Sequence, residues 1–373
     1  MEVHDIRSSP LWQHFASLPD PRIERTKRHQ LLDIIVIALC GIICGAESWV
    51  EIVAFGKARL AWLKQVLPLP NGIPSHDTFG RVFALLDPQA FQVCFLTWVQ
   101  ALRERTQGEI VALDGKTLRR SLDRATGQHP LHLVSAWACQ NRLVLGQMKT
   151  ADHSNEITAI PALLQLLDLA GCVVTIDALG TQKQIAQAIT TAQADYVLAL
   201  KGNHETAFEE VRTFLDDWAT THSAVQTVEK DHGRLEVRRY WLSQQSDWFE
   251  DRAAWSGLTS FGMVEASRTS NGQTQTQRRY YFSSLPSVEL PRFAAAVRAH
   301  WSIENSVHWT LDVCFNEDQS RVRKHHAPEN LALLRRMALN LLKRETSRQG
   351  GIKVRRLRAA CDTEYLAQLL LQI

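Results

Sequence analysis

Residues 299–318, AHWSIENSVHWTLDVCFNED, crowd Glu304, Asp312, Glu317 and Asp318 among His300, His308, Trp301 and Trp309. Two more acids stand far upstream, each closing an apolar run: Asp114 in EIVALDGK and Asp177 in CVVTIDALG. Such runs suit buried strands. Strand ends at the edge of an α/β sheet are where reactive side chains are exposed. On a helix from about 289, His300, Glu304 and His308 recur every four residues and share a face. If that helix packs beside the strands, Glu304 joins Asp114 and Asp177. Three carboxylates in one pocket repel each other unless cations neutralise them. Hard oxygen donors with room for water suit Mg²⁺ or Mn²⁺. Two such ions would clamp an in-line displacement at phosphorus.

Each acid also has a plainer reading. Asp177 before LGTQ would serve as a helix cap, Asp114 before Gly115 as a turn former, and Glu304 as an exposed helical glutamate. Trp301 and Trp309 read as core residues that anchor the helix. His300 and His308 around Glu304 are a zinc alternative. The familiar zinc helix, however, spaces its histidines four apart with the glutamate directly after the first. Asp312, two turns past Glu304, is the rival third ligand. Glu317 and Asp318 read as lying beyond the helix, paired with Arg321 or Arg323.

The elements that would position these residues follow from periodicity. The first hundred residues read as helical: 31–46, 49–67, 75–87 and 87–105, with Ser75 or Asp77 as an N-cap. LPLPNGIPS (67–75) breaks the pattern. From 109 the texture becomes strand (109–116), a hairpin (132–139 and 143–150), helix (156–171), strand (172–180), helix (181–194) and strand (195–203). Asn155 is the expected cap of the first of these helices and Gly171 its stop. Stretches between 205 and 290 have strand character after one helix, with SNGQTQTQ (270–277) as a polar hairpin tip. ENLALLRRMALNLLKRE (329–345) is amphipathic. The expected organisation is a helical N-terminal domain (1–105), a core (106–204 and 290–345), a mostly β insertion (205–289) and a basic C-terminal tail (346–373). Two aspartates on the first and fourth strands, with a glutamate on a helix after the fifth, describe an α/β ribonuclease-H-like catalytic core.

Bulk composition narrows the classes. The 373 residues are 45% hydrophobic and 22% charged, an ordinary globular balance. Net charge is only +3, but residues 321–358 hold twelve Lys/Arg against Glu329 and Glu345. Such a stretch suits phosphate contacts or a solvated helix face. The seven scattered cysteines form neither a disulfide framework nor a zinc knuckle, so a cytoplasmic location is expected. The start, MEVHDIRSSPLW, does not read as a signal peptide. The apolar run 31–46 carries Asp33 and reads as a buried helix rather than a membrane anchor.

Long ordered motifs carry a family resemblance. VALDGKTLRRS (111–121), HSNEITAIPALLQLLDLAGCVVTIDALGTQ (153–182), YVLALKGNH (196–204), DHGRLEVR (231–238) and HWSIENSVHWTLDVCFNEDQSRVR (300–323) resemble the H-repeat-associated insertion-sequence transposases, a bacterial DDE group. FASLPDPRIERTKRHQLLDIIVIALCGIICGAESW (15–49) and IPSHDTFGRVF (73–83) resemble that family's N-terminal region. The resemblance implies that Asp114, Asp177 and Glu304 are the catalytic, metal-binding acids, and that a β insertion precedes the glutamate helix. Many related transposases put a Tyr, an Arg and a Lys around the glutamate. Here those places hold Val297, His300 and Leu311, so HW-x-x-EN stands instead. His300, Asn305, Lys116, Lys201, Arg321, Arg323 and Lys324 are the expected DNA contacts.

The expected activity is metal-dependent cleavage at an element's terminal inverted repeats and transfer of the freed 3′-hydroxyl to target DNA. A homo-oligomer on DNA is expected from that chemistry. The alternatives are an inactive or repurposed DNA-binding derivative, a zinc hydrolase, and a structure-specific nuclease.

Overall fold

The computed structural model describes residues 9–104, 108–122, 127, 129–150, 156–231, 234–270 and 273–371. Its organising feature is a single nine-stranded sheet. The strands are β1 (Ile110–Leu118), β2 (Leu131–Ala138), β3 (Leu143–Lys149), β4 (Val173–Ile176), β5 (Asp195–Leu200), β6 (Val225–Asp231), β7 (Arg234–Ser243), β8 (Ser260–Ser270) and β9 (Gln273–Ser283). Their spatial order is β3-β2-β1-β4-β5-β9-β8-β7-β6. β1, β4 and β5 are parallel. VVTI of β4 is buried at every position, as expected of a parallel strand covered on both faces. The β-rich stretch after 205 is not a separate sheet: β9 pairs antiparallel with β5 and extends the same one. Residues 273–277, expected in a hairpin tip, are strand, because they pair with β8 along its whole length.

The helices are α1 (Pro10–Phe15), α2 (Leu31–Ile43), α3 (Trp49–Ala58), α4 (Leu60–Val66), α5 (His76–Leu85), α6 (Pro88–Leu102), α7 (Glu156–Gln165), α8 (Lys183–Thr191), α9 (Glu205–Thr221), α10 (Leu290–His300), α11 (Trp309–Phe315), α12 (Ala327–Arg344), α13 (Ile352–Cys361) and α14 (Thr363–Leu371). Local chemistry sets several starts. Ser48 and Glu51 form a capping box on α3, Ser75 caps α5, and Asp87 followed by Pro88 opens α6. The expected cap of α7, Asn155, lies outside the described residues. Gly171 takes φ +74° in the turn into β4, six positions past the end of α7 at Gln165. No single described helix is long and apolar enough to cross a membrane.

α12 is the hub, not a solvated basic face. All of it but Glu329 and Arg344 is buried. Asn330 donates to the carbonyls of Phe83 and Leu86, tying α12 to the end of α5. Asn340 both donates to and accepts from the Val144 backbone, pairing groups on the edge strand β3 that would otherwise lack a ladder partner. The basic residues around it are consumed internally. Arg344 donates to the Leu102 carbonyl, Arg355 to Leu342 and Arg356 to Ile42, each at the end of a helix. The expectation that 321–358 as a whole offers cations to DNA is therefore corrected. Sequence counts charges but does not show which of them cap carbonyls inside the core.

A buried ion cluster locks α12 and the segment after α11 onto β1. Lys116 Nζ lies 2.5 Å from Asp312 Oδ1, 3.2 Å from Glu317 Oε2 and 3.3 Å from Asp318 Oδ1. Arg336 Nη1 reaches Glu317 Oε1 at 3.1 Å, and neither of those side chains is exposed. Burial opposes the Glu317 charge, but Arg336, Lys116 and Arg335 together outweigh it and hold the carboxyl at about 2. Glu317 and Asp318 are thus ion-paired as expected, but with Lys116, Arg336 and Arg119 rather than with Arg321 or Arg323.

Removing one partner leaves a buried charge unpaired, which costs about 3–5 kcal/mol. Glu317→Gln should lower stability to urea by about that amount. Because the folded carboxyl is held below its unfolded value of about 4.5, its contribution is complete above that pH and is lost as pH falls towards 2. The difference between wild type and Glu317→Gln should therefore be constant near neutrality and shrink between about pH 4.5 and 2. A difference unchanged over that range would contradict the ion-pair assignment.

Candidate active site

Asp114 sits in the middle of β1, not at its end. β2 continues to pair with β1 past Asp114, through Asp114↔Ser135 to Leu118↔Leu131. On the other side the last pair is Leu113↔Ile176, where β4 stops. The apolar run ends at Leu113 because cover on that side ends, which the sequence could not distinguish from the strand itself ending. Asp177 follows Ile176 directly. In adjacent parallel strands, positions in register point to the same face about 4.8 Å apart. Asp114 and Asp177 are therefore brought side by side by the sheet alone.

Asp177 also caps the short turn Ala178–Gly180, accepting from the Leu179 and Gly180 N–H groups at 3.1 and 3.3 Å. Only Oδ1 is used, so capping and ligation by the second oxygen are compatible. Burial pushes the Asp177 carboxyl up. The Gly180 hydrogen bond works against this, while Glu156 and Asp114 add to it.

Glu304 arrives from the opposite direction. The expected single helix is broken: α10 ends at His300, and a π-helical turn, Glu304–His308, precedes α11. The Trp309 N–H bonds to the Glu304 carbonyl, five residues back. π turns inside helices are frequent at functional sites. The expected row of His300, Glu304 and His308 is split. His300 Nδ1 lies 3.1 Å from Thr175 Oγ1, and burial lowers its pKa against the pull of Asp114 and Asp177. His308, in contrast, meets the acids: its Nδ1 is 3.3 Å from Asp114 Oδ2 and 3.6 Å from Glu304 Oε2. One donor atom from each of Asp114, Glu304 and His308 lies within 4.8 Å of the others. Asp114, Asp177, His300 and Glu304 line one cavity of about 520 Å³, together with Thr175, Lys201, Arg278, Arg279 and Trp301.

Other expected site residues are placed elsewhere. Lys116 is only 8% exposed and held by three carboxylates, so it is not offered to a phosphate. Asp312 is turned to Lys116 and does not line the cavity that Glu304 lines. Lys201, Asn305, Arg321, Arg323 and Lys324 are exposed. Arg323 donates to the Arg120 carbonyl, which gathers the exposed Arg119 and Arg120 beside 321–324. Trp301 and Trp309 were expected in the core, yet are 47% and 58% exposed. Ile303, Val307 and Leu311 take the buried positions instead, and Arg279 stacks over Trp301 at 4.9 Å.

Sequence reasoning missed Glu156 and His132. Glu156 Oε1 bonds His132 Nε2 at 2.9 Å, and His132 Nδ1 meets Thr117 Oγ1 at 2.7 Å. A Cβ on Gly115 would land on the Glu156 carboxylate and crowd His132. The glycine of the DGK motif is thus needed for close approach, not for its backbone angle.

Residues 105–341 match the model of the transposase DDE domain, and residues 12–99 match that of its associated N-terminal region. The chain belongs to the DDE transposase family. Among its relatives, YncI of Escherichia coli O157:H7, named as a transposase, is 42% identical over 96% of this chain and 94% of its own. YhhI of E. coli K12, named as an H-repeat-associated transposase, is 37% identical over 96% of this chain and 97% of its own. A third relative of that strain, named "Inactive transposase YbfQ", is 43% identical over 72 residues, which are 19% of this chain and 86% of its own. The H-repeat-associated resemblance read from the motifs is borne out.

Gly115→Ala should destabilise this transposase by about 1–3 kcal/mol in urea, the usual cost of overpacking. Glu156→Ala in the same chain should recover part of that loss, since His132 still stands close to the new methyl. No recovery in the double variant would mean that Glu156 is not what the glycine accommodates.

Proposed function

We propose that this chain cuts DNA at the ends of its own insertion sequence and joins the freed ends to target DNA. Asp114, Asp177 and Glu304 are its catalytic acids. The observation that carries the reading is the meeting of Asp114, Asp177 and Glu304 in one cavity from two strands and a helix. The ribonuclease-H-like reading of the core is supported by the strand order β3-β2-β1-β4-β5 with β1, β4 and β5 parallel.

The residues fit a divalent metal. Among the described residues, the ion pairs of Asp114 and Glu304 are with His308 alone, so no lysine or arginine is paired directly with them. Carboxylates crowded this way, with Asp177 already raised by burial and by its acidic neighbours, favour an added cation. Mg²⁺ or Mn²⁺, two ions in the full site, would activate the attacking oxygen and steady the leaving one. Asp114, Asp177 and Glu304 would hold them. The protein's remaining work is orientation and charge balance.

In the first step a water oxygen bonds to phosphorus and the P–O3′ bond breaks, leaving a 3′-hydroxyl on the element. In the second, that hydroxyl attacks a target phosphodiester and displaces the target's own 3′ oxygen. No external energy source is needed. The exposed Lys201 at the cavity, Asn305 beside Glu304, and Arg321, Arg323 and Lys324 with Arg119 and Arg120 would grip phosphates. His300 at the cavity would position DNA. Acting on two element ends together calls for a homo-oligomer on DNA.

The test is incubation of the full chain with Mg²⁺ and labelled DNA carrying its element's ends. Cleavage and joining are expected, with Glu304→Gln slowed by about 10²–10³-fold or more, the usual effect of removing one group that stabilises transition-state charge. DNA that is bound but never cut would establish the inactive-derivative reading instead. Cleavage that survives Glu304→Gln would remove Glu304 from the site.

A further inference from the structure

His308 is 4% exposed, and its ring is held so that Nδ1 faces Asp114 and Glu304. Its other nitrogen, Nε2, is buried without a hydrogen-bond partner among the described residues. The ring is therefore committed to the acidic side and gains nothing polar behind it. The distances say what it is committed to. A charge-assisted N–H···O bond is about 2.7–2.9 Å long. The contacts of His308 Nδ1, at 3.3 and 3.6 Å, are longer than that. Two donors on neighbouring positions of an octahedral ion with bonds of about 2.1 Å stand about 3.0 Å apart, and about 3.4 Å on a tetrahedral one. The spacing suits donors that share an ion better than it suits a hydrogen bond. The π turn brings both Glu304 and His308 to that point from one stretch of helix.

We propose that His308 Nδ1 is a ligand of the divalent ion held by Asp114 and Glu304. The inference rests on the reading above that those two acids bind metal. It makes one ion of the site a mixed nitrogen and oxygen centre. Imidazole suits Fe²⁺, Ni²⁺ and Zn²⁺, whereas Mg²⁺ and Mn²⁺ suit oxygen donors. His308 therefore shifts the preference of that ion away from Mg²⁺ and towards the later transition ions, with Mn²⁺ serving as the spectroscopic probe. His300 is not part of that set of donors: its Nδ1 is turned to Thr175.

The test uses the full chain and Mn²⁺ alone, without DNA. Electron paramagnetic resonance counts bound Mn²⁺, and its pulsed form reads nitrogen directly coupled to the ion. Wild type should show histidine nitrogen coupling. His300→Gln should keep it, and His308→Gln should lose it, with Mn²⁺ affinity lower by about tenfold or more. The Ni²⁺-over-Mg²⁺ preference, measured by competition, should shrink in the same variant. Mn²⁺ that binds, and weakens in Asp114→Asn and Glu304→Gln, but shows no nitrogen coupling in wild type would overturn the role of His308 while leaving the carboxylate site intact. Mn²⁺ binding indifferent to Asp114→Asn and Glu304→Gln would overturn both. The wild-type spectrum decides the question even if His308→Gln fails to fold.

Discussion

Two groups of acids are carried by β1 and the segment 304–318, and the chain treats them oppositely. Asp312, Glu317 and Asp318 receive Lys116, Arg336 and Arg119. Asp114 and Glu304 receive only a histidine among the described residues. Charge left unbalanced in a partly buried cavity is unfavourable unless something outside the chain neutralises it. The fold holds the unbalanced group together because the balanced one clamps the same pieces. Lys116 is two residues from Asp114 on β1, and Asp312 is two turns from Glu304, so one buried ammonium fixes the strand and the helix that carry the acids.

The sheet does the rest. β4 stops one residue before Asp177, and that termination uncovers Asp114 on the neighbouring strand. α12 packs behind β3, with Asn330 and Asn340 paired to backbone and Arg336 to Glu317. The result is a cavity lined by strand and helix, with Lys201, Arg278 and Arg279 in its lining and further exposed arginines and lysines outside it.

Much of this was legible in the chain. Apolar runs gave the strands, Ser75 marked the start of α5, and the motifs pointed to Asp114, Asp177 and Glu304, which the fold brings to one cavity. Long-range relations were not legible. Asp114 looked terminal because an apolar run ends wherever cover ends on one side. The basic stretch 321–358 looked like a surface because a carbonyl-capping arginine and a phosphate-binding arginine have the same letter. Trp301 and Trp309 were assigned to the core by size, but the π turn and the smaller Ile303, Val307 and Leu311 occupy that face. Glu156 carried no signal, since nothing near it in sequence shows that Gly115 leaves room for its carboxylate.

The central claim is that side chains 114, 177 and 304 share divalent ions. Anomalous diffraction from crystals of the chain soaked in Mn²⁺, with element-end DNA bound, measures this most directly. Manganese peaks within about 2.0–2.3 Å of oxygens from Asp114, Asp177 and Glu304 are predicted. Well-ordered peaks elsewhere, with that cavity occupied by DNA but empty of manganese, would contradict it.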